Sequence, residues 1–107
     1  MKNEQNNVEE ADERIYKLSR PFTFEGNEYT ELTLDFEKLT GNDLLSCERQ
    51  MQLITGASEY VPMKQISQAY QAVVTARAAA VPVELIQALP AKDFSKVTLR
   101  ASTFLLA

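Results

Sequence analysis

Cys47 and the fifteen aspartates and glutamates are the side chains to which nucleophilic or acid–base chemistry would fall in this 107-residue chain, and none of them has a suitable partner nearby in sequence. There is no histidine, which removes the commonest general base and the commonest metal ligand. A zinc site needs several cysteines or histidines, and one cysteine can neither build such a site nor close an internal disulfide. Gly26, Gly41 and Gly56 stand far apart, so no glycine-rich loop is available to cradle a phosphate. These residues point to a binding protein, not an enzyme, with no catalytic residue, no cofactor and no metal.

Charge and length narrow the partners. The formal net charge is −4, and the eleven basic residues are scattered, with Lys17, Arg20 and Lys38 alternating with carboxylates. A polyanion binder gains affinity by releasing counterions from clustered Lys and Arg, so nucleic acid is not expected as a partner. No apolar run reaches the roughly 18 residues of a membrane-crossing helix. The first fourteen residues are acidic and Asn-rich, unlike a secretory leader. The expected compartment is therefore the cytoplasm, and a lone cysteine agrees with reducing surroundings. A chain of this size is expected to form one domain.

The elements follow from local pattern. Residues 1–14 carry Glu4, Glu9, Glu10, Asp12 and Glu13 and almost nothing apolar, so they are expected to form a disordered acidic tail ahead of a domain at 15–107. Ile15-Tyr16-Lys17-Leu18, Phe22-Thr23-Phe24 and Tyr29-Thr30-Glu31-Leu32-Thr33-Leu34 surround Gly26-Asn27 and read as a β-hairpin. Pro21 has no amide donor, so the first strand is either interrupted there or lies at a sheet edge. A two-residue loop at Gly26-Asn27 pairs Phe24 with Tyr29. A three-residue loop over 26–28 pairs Phe24 with Thr30 and Phe22 with Leu32. The second register is preferred, because it gathers Phe22, Phe24, Leu32 and Leu34 on one face and sends Glu31 and Thr33 to water.

Helices follow the hairpin. Thr40 and Asp43 have the spacing of a capping box. Leu44, Cys47, Met51 and Ile54 then mark one helical face, and Gly56 marks its end. Cys47 lies on that stripe and reads as a small core residue. Pro62 is suited to the first turn of a second helix carrying Met63, Ile66, Tyr70, Val73 and Ala80, with Gln71 and Thr75 pointing away. Pro82 opens a short helix over 83–89. Pro90 opens a last one from Ala91 to about Leu105, whose stripe is Phe94, Val97, Ala101, Phe104 and Leu105. The expected fold is α+β: an N-terminal β-hairpin followed by three to four α-helices in one small domain.

Several of these segments resemble a known family. Phe24-Glu25-Gly26-Asn27-Glu28-Tyr29-Thr30-Glu31-Leu32 resembles its opening hairpin. Leu39-Thr40-Gly41-Asn42-Asp43-Leu44-Leu45 with Glu48-Arg49 resembles its first helix, and Leu89-Pro90-Ala91-Lys92-Asp93-Phe94 the start of its closing helix. The chain is similar, over roughly Phe22 to Leu105, to the tail assembly chaperones of Mu-like and related tailed phages, with residues 57–79 matching only as a generic helix. The resemblance implies a non-enzymatic phage or prophage assembly factor in the host bacterial cytoplasm. It implies binding to the tape measure protein while tail tube subunits assemble, and absence from the mature virion. It also implies a short form paired with a frameshift-extended one, and the codons of Thr103-Phe104-Leu105 permit a slippery run. Two other readings stay open: a minor structural or adaptor protein of a phage tail, and a small host regulatory module that binds another protein.

Three residues stand out as candidates for protein interaction. Tyr29 lies on the far side of the preferred hairpin register, and Phe104 and Leu105 lie near the free end of the last helix. The hairpin edge could also pair with a second copy of the chain.

Overall fold

The computed structural model describes residues 13–56 and 67–107. The expected acidic tail, apart from its last two residues, and the expected helix start at Pro62 with Met63 and Ile66 lie outside the described residues. Two antiparallel strands open the fold, β1 (Ile15–Phe24) and β2 (Asn27–Thr33), followed by a single 3-10 turn, Phe36–Lys38. Four α-helices complete it among the described residues: α1 (Gly41–Thr55), α2 (Gln68–Ala79), α3 (Val83–Ala88) and α4 (Ala91–Leu106). This is the hairpin-then-helices order expected of the sequence.

The hairpin register differs from both loops considered. Phe24 pairs with Asn27 and Phe22 with Tyr29, so the loop is Glu25-Gly26. Glu25 at φ +51° and Gly26 at φ +83° are both left-handed, the conformation of a type I′ turn. That turn matches the right-handed twist of the strands, and its second position is where glycine is most useful. Gly26 therefore ends the loop and does not begin it.

A bulge then shifts the pairing. Beyond it, Lys17 pairs with Glu31, Tyr16 with Leu32 and Ile15 with Thr33. Residues 18–21 of β1 thus face Thr30 alone, and Pro21, which has no amide to donate, sits in this irregular stretch. The bulge lets both ends of the hairpin present apolar side chains inward. Tyr16, Leu18, Leu32 and Leu34 are buried, while Phe22, Phe24 and Tyr29 are partly buried against the same core. Leu32 is inward as expected; Tyr29 is not on the far side, because the I′ register places it opposite Phe22.

The helices begin and end where their local signals lie. Thr40 and Asp43 form the reciprocal capping box of α1: the Thr40 amide donates to Asp43 Oδ2 at 2.8 Å, and the Asp43 amide donates to Thr40 Oγ1 at 3.3 Å. Cys47 and Met51 of α1 are buried and Leu44 packs against the core, but Ile54 is 39% exposed. Gly56 ends the helix at φ +103°. Ala80 ends α2 in the left-handed region, and Val81-Pro82 cannot continue it, because the residue before a proline is driven out of the helical region. Pro82 and Pro90 are the N-caps of α3 and α4.

Helix α2 is the centre of the fold, packed against α1, α3 and α4. Gln71 and Thr75, expected to point to water, are both buried. Thr75 is accommodated because its hydroxyl donates to the Gln71 carbonyl at 2.7 Å and to the Val97 carbonyl of α4 at 3.3 Å. With helices on several sides, α2 has no solvent face for an amphipathic pattern to mark. The hairpin lies against α4 and α2.

Candidate functional site

Where β2 ends, the chain is turned by two backbone bonds. The Leu34 amide donates to the Arg14 carbonyl at 2.8 Å, and the Asp35 amide donates to the Ala78 carbonyl at 3.3 Å. The 3-10 turn that follows brings Phe36 to the last turns of α4. There its ring stacks on Phe104, with centroids 5.3 Å apart and planes 20° from parallel. An open cleft of about 420 Å³ lies here, with Leu34, Phe36, Leu99, Arg100 and Phe104 among its lining.

The rim of the cleft is charged and its surface is apolar. Arg14 and Asp35 form a 3.5 Å ion pair at the edge, an exposed contact worth at most about 1 kcal/mol. Arg100 donates to the Glu13 carbonyl at 3.3 Å and lies 5.3 Å from the centroid of the Tyr16 ring. Leu99 is 63% exposed and Leu106 55% exposed, so two leucines stand on the outer face of α4, Leu99 beside the cleft and Leu106 two turns further along. An aromatic and aliphatic lining inside a charged rim suits the burial of a partner's apolar side chain.

A buried carboxylate ties β1 to α4, the helix that forms one wall of the cleft. Asp93, in the first turn of α4, is 0% exposed. It accepts from Tyr16 Oη at 2.7 Å, from the Ser19 amide at 3.0 Å and from Ser19 Oγ at 2.8 Å. Burial alone would push its carboxyl up, but the bonds from Tyr16 and Ser19, helped by the Arg20 charge, outweigh burial and hold it below the usual carboxylate range. Tyr16 is pushed up to about 12, first by burial and then by its bond to Asp93 and that carboxylate's charge, with Arg100 opposing. Ser19 lies in the bulge, so Asp93 receives a backbone amide from the stretch where the strand pairing is interrupted.

A second polar link joins α1 to α2. Arg77 donates from Nη1 to Asp43 Oδ1 at 3.2 Å and from Nη2 to Ser46 Oγ at 3.1 Å. The Thr40 amide is the main group that keeps Asp43 below its ordinary value; burial opposes, and the Thr40 hydroxyl and Arg77 assist. Cys47 is buried beside this link, and burial pushes its thiol up, as befits an inert core residue.

Of the three candidate interaction residues, Phe104 lines the cleft and is half-buried by its stack on Phe36. Leu105 is also half-buried, packed against the core. Tyr29 sits at the turn end of the hairpin opposite Phe22, so the structure does not gather the three into one site. Sequence reasoning passed over Phe36, Leu99 and Leu106. Leu99 carried a usable signal: it is a leucine that falls outside the buried Phe94–Val97–Ala101 stripe of its own helix.

The family model described as "Phage tail assembly chaperone proteins, E, or 41 or 14" matches residues 15–106, which run from the first residue of β1 to the last of α4. No curated protein and no solved structure matches the chain.

Proposed function

This chain belongs to the phage tail assembly chaperone family, and from that membership we propose that it binds the phage tape measure protein and assists tail tube subunits to assemble around it. It acts by holding its client and not by catalysis. It works in the host bacterial cytoplasm and leaves before the virion is finished. The observation that carries this reading to a surface is the cleft at Phe36 and Phe104, with exposed Leu99 beside it and Leu106 two turns further along, on a unit that the family match covers from end to end. Exposed leucines beside an aromatic cleft favour a long, partly apolar client segment.

The test is co-expression of the full chain with the tape measure protein of the same phage. The client is expected to be insoluble alone and to co-purify with the chain in soluble form, while purified virions contain none of it. An unrescued tape measure protein would overturn the client assignment. A fixed number of copies in each virion would replace it with the tail adaptor reading.

A further inference from the structure

The outer face of α4 is basic in a chain that is otherwise acidic. Lys92, Lys96 and Arg100 follow one another at four-residue spacing and are all exposed, with exposed Leu99 among them. Nothing in the helix itself accounts for the row. Like charges four residues apart destabilise a helix, and a lysine in the first turn opposes the helix dipole. The one carboxylate of α4, Asp93, is turned inward to Tyr16 and Ser19. Among the described residues, neither Lys92 nor Lys96 has an ion-pair partner.

The complementary charge lies in the same chain. Residues 1–12 hold four carboxylates against one lysine, −3 of the chain's net −4. They join the domain at Glu13, whose carbonyl accepts from Arg100, so this acidic segment is delivered to one end of the basic row. Extended chain covers about 3.3–3.6 Å per residue, so Glu9 and Glu10 can reach roughly 10–14 Å from Glu13. Lys96 lies about 6 Å and Lys92 about 12 Å along the helix from Arg100. The family match begins at residue 15, so the segment lies outside the matched unit.

We propose that the outer face of α4 is a docking surface occupied by this chain's own acidic N-terminal segment, with Glu9, Glu10 and Asp12 set against Lys92, Lys96 and Arg100. The contact is electrostatic, since Val8 and Ala11 are the only apolar residues of the segment after the initiator. The proposal is independent of which client the protein holds.

Carbodiimide cross-linking of the unaltered full chain tests it, because this reagent joins carboxylate to lysine only when they touch. An equal mixture of ¹⁴N and ¹⁵N protein separates links within one chain from links between two. At low salt, Glu9, Glu10 or Asp12 should link to Lys92 or Lys96 of the same chain at least about threefold more often than to Lys17 or Lys38. The excess should fall by more than half near 0.5 M salt, where the screening length drops to about 4 Å. Lys92→Glu with Lys96→Glu, both at exposed positions and compared at an unchanged melting curve, should release Arg14 to faster trypsin cleavage, and cleavage at the parent rate would overturn the proposal. Links spread evenly over all lysines, or links of mixed isotope only, would overturn the proposal, the latter in favour of a second copy as the occupant.

Discussion

Tyr16 Oη donates a 2.7 Å hydrogen bond to Asp93 Oδ1, joining the first strand to the last helix across 77 residues of sequence. Two further bonds from Ser19 reach the same carboxylate, so three donors converge on one buried group. Placing Asp93 in the first turn of α4 adds the favourable end of the helix dipole. This node fixes the first strand of the hairpin against α4.

Asp93→Ala should therefore cost about 2–3 kcal/mol, since it strands the buried Tyr16 hydroxyl and leaves the part-buried Ser19 donors to water. In a domain of this size that is a fall of more than about 10 °C in the thermal midpoint. Asp93→Asn keeps one acceptor oxygen and should fall between the two. Denaturant melts of the three proteins measure this directly, and a loss below about 0.5 kcal/mol for Asp93→Ala would show that the node is not holding the hairpin.

The same pair predicts how stability depends on pH. The folded state holds Asp93 below its ordinary value, so its contribution is complete above the ordinary carboxylate range and is lost as pH falls through the folded value. Tyr16 behaves in the opposite sense. Its folded value is raised to about 12, so its contribution is complete below its ordinary value and is lost as pH rises through the folded one. Stability should be flat from above the carboxylate range up to the ordinary value of the Cys47 thiol, which burial also raises. Tyr16→Phe should make the alkaline limb shallower without abolishing it, because burial also raises Cys47 and Tyr70. Urea midpoints measured across the pH range, with and without the substitution, check the sign of each limb.

The turn offers a test in the stabilising direction. Glu25 holds φ +51° at the first position of a type I′ turn, which costs an ordinary L-residue about 1–2 kcal/mol. Glu25→Gly or Glu25→Asn should recover about 1 kcal/mol and raise the thermal midpoint by several degrees, since both accept that conformation. No gain from either would mean that the Glu25 side chain compensates for its backbone.

These residues also show which parts of the molecule were legible. The Thr40–Asp43 box, the prolines at 82 and 90 and the Phe94–Val97–Ala101 stripe act within a turn or two of chain, and sequence pattern reads them correctly. The hairpin register is not local. It depends on a glutamate adopting a left-handed conformation and on a bulge whose Ser19 amide is taken by Asp93, 74 residues away. The Glu25-Gly26 turn thereby sets Tyr29 opposite Phe22 and against the core, not on the far face that the expected register gives it. Thr75 and Gln71 look like surface residues because a polar side chain normally marks water. In α2 the Thr75 hydroxyl is instead turned back onto backbone carbonyls. Asp93 was visible only as part of a family-like motif, since nothing local shows that its carboxylate is buried. Of the apolar side chains that line the cleft, sequence pattern singles out Phe104 and passes over Phe36 and Leu99.

Leu99→Asp separates a surface used for binding from one used for folding. Leu99 is 63% exposed, so losing its side chain should change stability by no more than about 0.5 kcal/mol. Val97, two residues earlier on α4, is 0% exposed, and Val97→Asp should unfold the protein, because an unpaired buried carboxylate costs several kcal/mol. Leu99→Asp also places a carboxylate on the outer face of α4 beside the cleft. If the client lies there, its affinity should fall at least about tenfold, equivalent to about 1.4 kcal/mol, with the melting curve unchanged. Phe104→Ala should weaken binding too, but with a measurable loss of stability, because its ring stacks on Phe36. Calorimetric titration against the tape measure protein, beside a thermal melt of each variant, distinguishes these outcomes. A folded Leu99→Asp protein that binds its client as tightly as the parent would remove the outer face of α4 from the binding surface and leave the cleft at Phe36 and Phe104 as the place to look.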